Sequence, residues 1–275
     1  MSYVTTEDGT RIFFRDWGPA DGPPVLLSHG WPVNSDSWAG QALSLGMHGC
    51  RVVAHDRRGH GRSTQTWTGN EMDTYADDLA TLLDTLDLTG VTLVGHSTGG
   101  GEISRYIGRH GSARVAKLVL VASVTPFLLR TPDNPLGLPV QVFDALRTAE
   151  IAARSQLYRD LADGPFFGHN RRGDVAQGVR DAFWAQGLAA GHRNTYECIA
   201  AFSATDFRED LSAIDVPVLV IHGDDDQIVP LDAAGRRTAE LIAGAELTVY
   251  PGAGHGLPDT EKQRLSEDLL AFIRS

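Results

Sequence analysis

The stretch VTLVGHSTGGG, residues 91–101, decides how the chain is read. A short apolar run ends in a serine flanked by glycines. Three structures could produce it. A dinucleotide-binding loop needs G-x-G-x-x-G after a strand, and the frame here would be Gly95, Ser97, Gly100. Its middle position must be glycine for the backbone to approach a pyrophosphate, and Ser97 occupies it. A phosphate-binding P-loop needs a lysine after its last glycine, and none follows. A plain strand-to-helix packing turn is the second candidate. The third is a nucleophile elbow, in which a serine stands on a sharp turn at the C-terminal end of a strand. Gly95 and Gly99, two residues either side, would remove the Cβ atoms that crowd such a turn. A helix starting at Thr98 would aim its free N–H groups and positive dipole end at the serine.

Other short apolar runs surround this one. PVLLS at 24–28, RVVAH at 51–55, LVLV at 118–121 and VPVLVI at 216–221 are continuously apolar, as parallel strands covered on both faces are. Apolar residues at spacings of three and four mark helices between them: Met72, Tyr75, Leu79, Leu82, Leu83 and Leu86; Ile103, Tyr106, Ile107 and His110; Leu265, Leu269, Leu270 and Ile273. Strands alternating with helices predict an α/β fold with a mainly parallel sheet. The segment RIFFRDW, 11–17, is expected to pair with the first residues as an antiparallel hairpin at its edge. From about 125 to 205 the alternation lapses into TPDNPLGLP (131–139) and aromatic-rich helical patterns. We read that stretch as a helical cap inserted between core parts 1–124 and 206–275 of one domain.

Bulk properties bound the function. The chain has 275 residues, 42% hydrophobic and 21% charged, with a net charge of −11. That balance argues against nucleic acid or an anionic membrane as partner. No apolar run approaches the roughly 18 residues of a membrane span. No basic and apolar leader is visible at the N-terminus, and a cytoplasmic protein is expected. Cys50 and Cys198 are the two cysteines, too few for a disulfide framework.

The partners of Ser97 decide between the candidates. A serine hydrolase with an elbow has chain order Ser, acid, His. The last histidine, His255, stands in a Gly-rich loop after the alternating AELTVY, 245–250. The late acidic cluster Asp224-Asp225-Asp226 follows the 216–221 strand, and composition alone leaves the choice among the three open. The turn SHGWP, 28–32, follows another strand and could supply an oxyanion donor from the backbone N–H of Trp31, the other being that of Thr98. All four signals fall at strand C-termini, the edge where open α/β sheets carry their sites.

In these segments, and in AHDRRGHGRS (54–63), AFSATDF (201–207), HGDDDQIVP (222–230) and GHG (254–256), the chain resembles the α/β-hydrolases. Within them it is similar to the cofactor-free haloperoxidases and aryl esterases, over nearly its whole length. The resemblance implies an eight-stranded, mostly parallel sheet with helices on both faces. It implies Ser97 as nucleophile, His255 as base and Asp226 as acid, with no metal and no cofactor. The substrates it implies are small aryl or short-chain esters, or carboxylic acids. A serine nucleophile leaves acyl transfer and sets aside the aspartate-based halide-displacing and epoxide-opening branches. Pro32 after Trp31 goes, in that family, with perhydrolysis, in which hydrogen peroxide replaces water and a peracid is released. Homo-oligomers occur among such relatives. Trp31, Phe127, Phe143, Phe166, Ile228 and Val229 are the expected apolar pocket. His96, His29, His55, His60 and His222 are read as structural. Alternatives are a C–C bond or lactam hydrolase with the same triad, or a non-catalytic ligand receptor on this fold.

Overall fold

The computed structural model describes residues 2–275. Eight strands form one sheet: β1 (Ser2–Thr5), β2 (Arg11–Trp17), β3 (Pro24–Ser28), β4 (Arg51–His55), β5 (Val91–His96), β6 (Val115–Val121), β7 (Val218–Gly223) and β8 (Glu246–Tyr250). Their spatial order is β1-β2-β4-β3-β5-β6-β7-β8. The β1–β2 and β2–β4 pairs are antiparallel, and every other pair is parallel. The expected edge hairpin is therefore present. The 216–221 run enters the sheet only at Val218.

The continuous apolar runs have a direct cause. In β3, Leu26 faces one core while Val25 and Leu27 face the other, and all three are fully buried. Successive side chains point to opposite faces, so a strand covered on both sides needs apolar residues throughout. One face is covered by helices α2 (Met72–Thr85) and α3 (Thr98–His110), which bring Leu79, Leu82, Ile103 and Tyr106. The other carries α1 (Ala39–Met47) and α11 (Lys262–Arg274), with Leu45, Leu265 and Leu269. Each such leucine contributes about 1.5–3 kcal/mol by leaving water. His110 departs from the expected apolar stripe of α3. It lies at the exposed end of the helix, where its Nε2 is 2.8 Å from Asp77 Oδ1.

Between β6 and β7 the chain forms α4 (Val140–Asp163), α5 (His169–Arg172), α6 (Gln177–Ala189), α7 (His192–Ala204) and α8 (Arg208–Ser212). Helix α4 breaks helical geometry at Ala153. Helices α9 (Gly235–Leu241) and α10 (Leu257–Thr260) complete the chain. No helix among the described residues is long and apolar enough to cross a membrane. Cys50 and Cys198 are both free and buried.

The strand order reverses direction at β3, which has β4 on one side and β5 on the other. Such a switch point opens a crevice at the strand C-termini. The register sets Ser28 opposite Gly95, so the loops that follow these two strands meet there.

Candidate active site

Ser97 sits between β5 and α3 with φ +54°, the left-handed region that side chains rarely adopt. Two close approaches make glycine necessary nearby. A Cβ on Gly95 would run into the carbonyl of Gly99, and one on Gly99 into the carbonyl of Ser28. The turn is pinned by Ser97 N–H donating to Val121 O at 2.9 Å and by Ser97 O accepting from Gly100 N at 2.9 Å. Its hydroxyl makes no hydrogen bond among the described residues and faces a cavity of about 460 Å³.

Beneath the elbow lies a buried ionic network. Glu102, five residues along α3, accepts from Ser28 Oγ at 2.9 Å, Arg57 Nε at 2.6 Å and His55 Nε2 at 2.8 Å. Arg57 Nη2 also donates to His29 O at 2.7 Å. Burial would raise the Glu102 pKa, but the Arg57 and His55 charges and hydrogen bonds outweigh it and hold it at about 2. One carboxylate thus ties the helix of the elbow to the ends of β3 and β4.

Asp226 and His255 come from the loops after β7 and β8. Asp226 Oδ1 accepts from the N–H groups of Ile228 and Val229 at 2.9 and 2.8 Å. Its Oδ2 lies 2.8 Å from His255 Nδ1. Burial pushes this carboxyl up, yet the His255 charge and the hydrogen bonds from His222 and His255 prevail, holding it well below the usual carboxylate range. An ionised carboxylate can only accept, so His255 Nδ1 carries a proton, and in the neutral ring it is Nε2 that has the lone pair. Ser97 and His255 line the same cavity. The two neighbouring aspartates turn elsewhere: Asp224 accepts from Gly252 N–H, and Asp225 pairs with Arg171.

The turn after β3 closes against the elbow, where a Cβ on Gly30 would lie 3.1 Å from Ser97 Cβ. Trp31 N–H has no acceptor among the described hydrogen bonds, and Thr98 N–H belongs to the first residue of α3, whose donors lack intrahelical partners. The Trp31 indole N–H donates to Thr195 O at 2.9 Å. Its ring meets Tyr158 edge-on at 5.7 Å.

Of the expected pocket residues, Trp31, Phe143, Phe166, Ile228 and Val229 line the cavity. Phe127 does not. Its neighbours Val124 and Leu128 take the wall, while its own ring lies under the Arg208 guanidinium at 5.7 Å. The largest share of wall that the sequence did not announce comes from α4, through Val142, Leu146, Leu157 and Leu161, together with Phe202 of α7. Ser97, Thr98, Gln227 and His255 are the polar residues of the lining, and none of the lining residues is an acid, lysine or arginine.

The other histidines are occupied. His96 Nε2 donates to His255 O at 3.0 Å, and burial holds its pKa down at about 3, so it is a neutral prop for the His255 loop. His29 accepts from Arg57 N–H at 2.9 Å, and burial keeps it neutral too. Burial likewise lowers His60 to about 3. His222 Nε2 donates to Val229 O at 2.8 Å.

Comparison with known proteins finds relatives along the whole chain. Residues 23–262 match the family described as alpha/beta hydrolase fold. A non-heme chloroperoxidase of Streptomyces lividans is 54% identical, and a bifunctional esterase/perhydrolase of Acinetobacter calcoaceticus is 51% identical, each over the full length of both chains. A bromoperoxidase from Bacillus anthracis superposes with a TM-score of 0.95 at 38% identity, again over all of both chains. The chain belongs to the alpha/beta hydrolase fold family.

Proposed function

We propose that the protein is a serine esterase and perhydrolase that forms an acyl-enzyme on Ser97. The observation that carries this reading is a serine at positive φ beside the Asp226–His255 pair, opening on one apolar cavity. Ser97 Oγ attacks the ester carbonyl while its proton passes to His255 Nε2. The oxyanion is met by the N–H groups of Trp31 and Thr98. His255 then protonates the leaving alcohol as its C–O bond breaks. Asp226 holds the ring orientation and stabilises the imidazolium. Water or hydrogen peroxide, losing its proton to His255, attacks the acyl carbon. The ester bond to Ser97 breaks as His255 returns that proton to Ser97 Oγ, and a carboxylic acid or a peracid leaves. A peracid so formed oxidises halide in solution without any cofactor on the protein. Pro32, beside the Trp31 carbonyl, is the residue we associate with the peroxide branch.

The all-but-apolar lining favours small neutral acyl or aryl groups as substrates, and the net charge of −11 argues against a nucleic-acid or anionic-membrane partner. We further read residues 125–205 as a cap on core parts 1–124 and 206–275. Helix α4 in that stretch supplies cavity wall. A cytoplasmic setting accords with the two free cysteines.

The test is labelling with a fluorophosphonate probe, followed by aryl-ester turnover with and without hydrogen peroxide. Labelling at Ser97, with ester and peracid activity both lost in Ser97→Ala, is the expected result. An unlabelled folded protein, or a Ser97→Ala variant that keeps its esterase rate, would sink the proposal.

A further inference from the structure

Glu150 in α4 is fully buried, an expensive location for a carboxylate. It touches neither Ser97 nor the cavity, although Ala149 beside it does line the wall. Its contacts converge on one oxygen. Oε1 accepts from Tyr158 Oη at 2.9 Å and from Thr195 Oγ1 at 2.5 Å, with Arg154 Nε 3.4 Å away. Oε2 has no partner among the described residues. Tyr158 and Thr195 both hold the Trp31 indole, one by its ring edge and the other by its carbonyl, with the Phe202 ring packed beside it at 5.8 Å. The same cluster is fastened outward. Arg154 Nη2 donates to Gly187 O and Ala190 O at 2.6 and 2.7 Å, and His192 Nε2 donates to Glu150 O at 2.7 Å. Helices α4, α6 and α7 are thereby locked around one carboxylate.

We infer that Glu150 is a positioning residue for catalysis: through Thr195 and Tyr158 it fixes Trp31, and with it the oxyanion turn and one wall of the acyl site. This rests on the proposed function, in which Trp31 N–H meets the oxyanion. Without Glu150 the Thr195 carbonyl stays in α7, but the Tyr158 and Thr195 hydroxyls lose the oxygen that sets α4 against α7, and small displacements of a donor cost rate steeply.

The experiment is a cycle in the full chain between Glu150→Leu and Trp31→Phe. Sites are counted by fluorophosphonate labelling, and kcat/KM for p-nitrophenyl acetate is expressed per labelled site. Glu150→Leu is expected to lower the per-site value about tenfold. In the Trp31→Phe background the same change should cost less than about twofold, because interacting residues do not add. Glu150→Gln keeps the accepting oxygen and should remain within about twofold of the unaltered protein. An equal loss in both backgrounds overturns the inference. So does a Gln variant as slow as the Leu variant, or a loss confined to the number of labelled sites. Should Glu150→Leu not fold, Thr195→Val replaces it, with a per-site loss expected beside Trp31 and none beside Phe; equal losses overturn the inference. A failure to label the unaltered protein at Ser97 would sink the esterase reading as well, which separates the two failures.

Discussion

His255 Nδ1 and Asp226 Oδ2 are 2.8 Å apart, while the second oxygen of the same carboxylate is held by two backbone N–H groups. The carboxylate therefore cannot rotate away without losing both ends. Replacing it by an amide preserves the shape but presents a donor where an acceptor is required. Asp226→Asn is expected to lower kcat by about 10³–10⁴-fold, as a wrong imidazole tautomer does, in a protein that still folds. Asp224→Asn and Asp225→Asn should stay within a few-fold, because those side chains serve Gly252 and Arg171. A steady-state comparison of the three variants decides it. A tenfold or smaller loss at Asp226, or a larger one at either neighbour, removes Asp226 from the role of the acid.

The elbow makes a demand on stability as well as on chemistry. At Gly99 an added methyl would meet the Ser28 carbonyl, which is strand backbone and cannot swing aside. Gly99→Ala is expected to cost about 1–3 kcal/mol and to displace the nucleophile. Gly178→Ala, in α6 with open space around it, should be neutral or gain up to about 1 kcal/mol. Denaturant midpoints measured together with ester turnover check the pair, and equal effects at both sites would contradict the steric account.

The parts of this molecule visible in the sequence are those where a local pattern has one structural solution. Leu26 flanked by Val25 and Leu27, in a five-residue run after Gly22 and Pro23, fits a strand covered on both faces. Gly95 and Gly99 around Ser97 mark a turn in which two Cβ atoms do not fit. The order of Ser97, Asp226 and His255 along the chain pointed to the strand ends where the structure has them. The α4 wall was not legible, because Leu146, Leu157 and Leu161 face a cavity, and their helical spacing looks the same as packing on a core. The break in α4 at Ala153 carries no Pro or Gly to announce it. Phe127 was misplaced because an aromatic next to Pro126 gives no indication of which side of the segment it faces. Glu150 gave no signal at all, since a glutamate in a helix is ordinarily a solvated one.

Asp259, half-buried in α10, supplies a pH dependence. Burial raises its pKa from 3.8 to about 6, against a smaller opposing pull from Lys262. The folded protein thus holds this proton more tightly than the unfolded chain. Well below the ordinary value of 3.8 both states are protonated and the residue costs nothing. As pH rises through 6 the cost grows to its full value, since stability falls where the native state binds more protons. Asp259→Asn is expected to raise the melting temperature at pH 8 and to leave it nearly unchanged at pH 3. The same shift at both pH values would show that burial of the charge is not what destabilises.

Helix α4 is expected to set the size of acyl group that can be accepted. Leu146 projects into the apolar cavity that Ser97 faces, with Phe143 and Phe202 also in the wall. Enlarging residue 146 removes space that a long acyl chain needs and an acetyl group does not. Leu146→Trp should keep acetyl-ester turnover within about threefold while hexanoyl-ester kcat/KM falls by more than about tenfold, since each apolar group accommodated or excluded is worth about 1–3 kcal/mol. Because the leaving group is common to both esters, a loss specific to the longer chain can arise only on the acyl side. Equal losses for the two esters would mean that the substitution disturbs Ser97 or the oxyanion turn, and the acyl chain would then have to lie elsewhere.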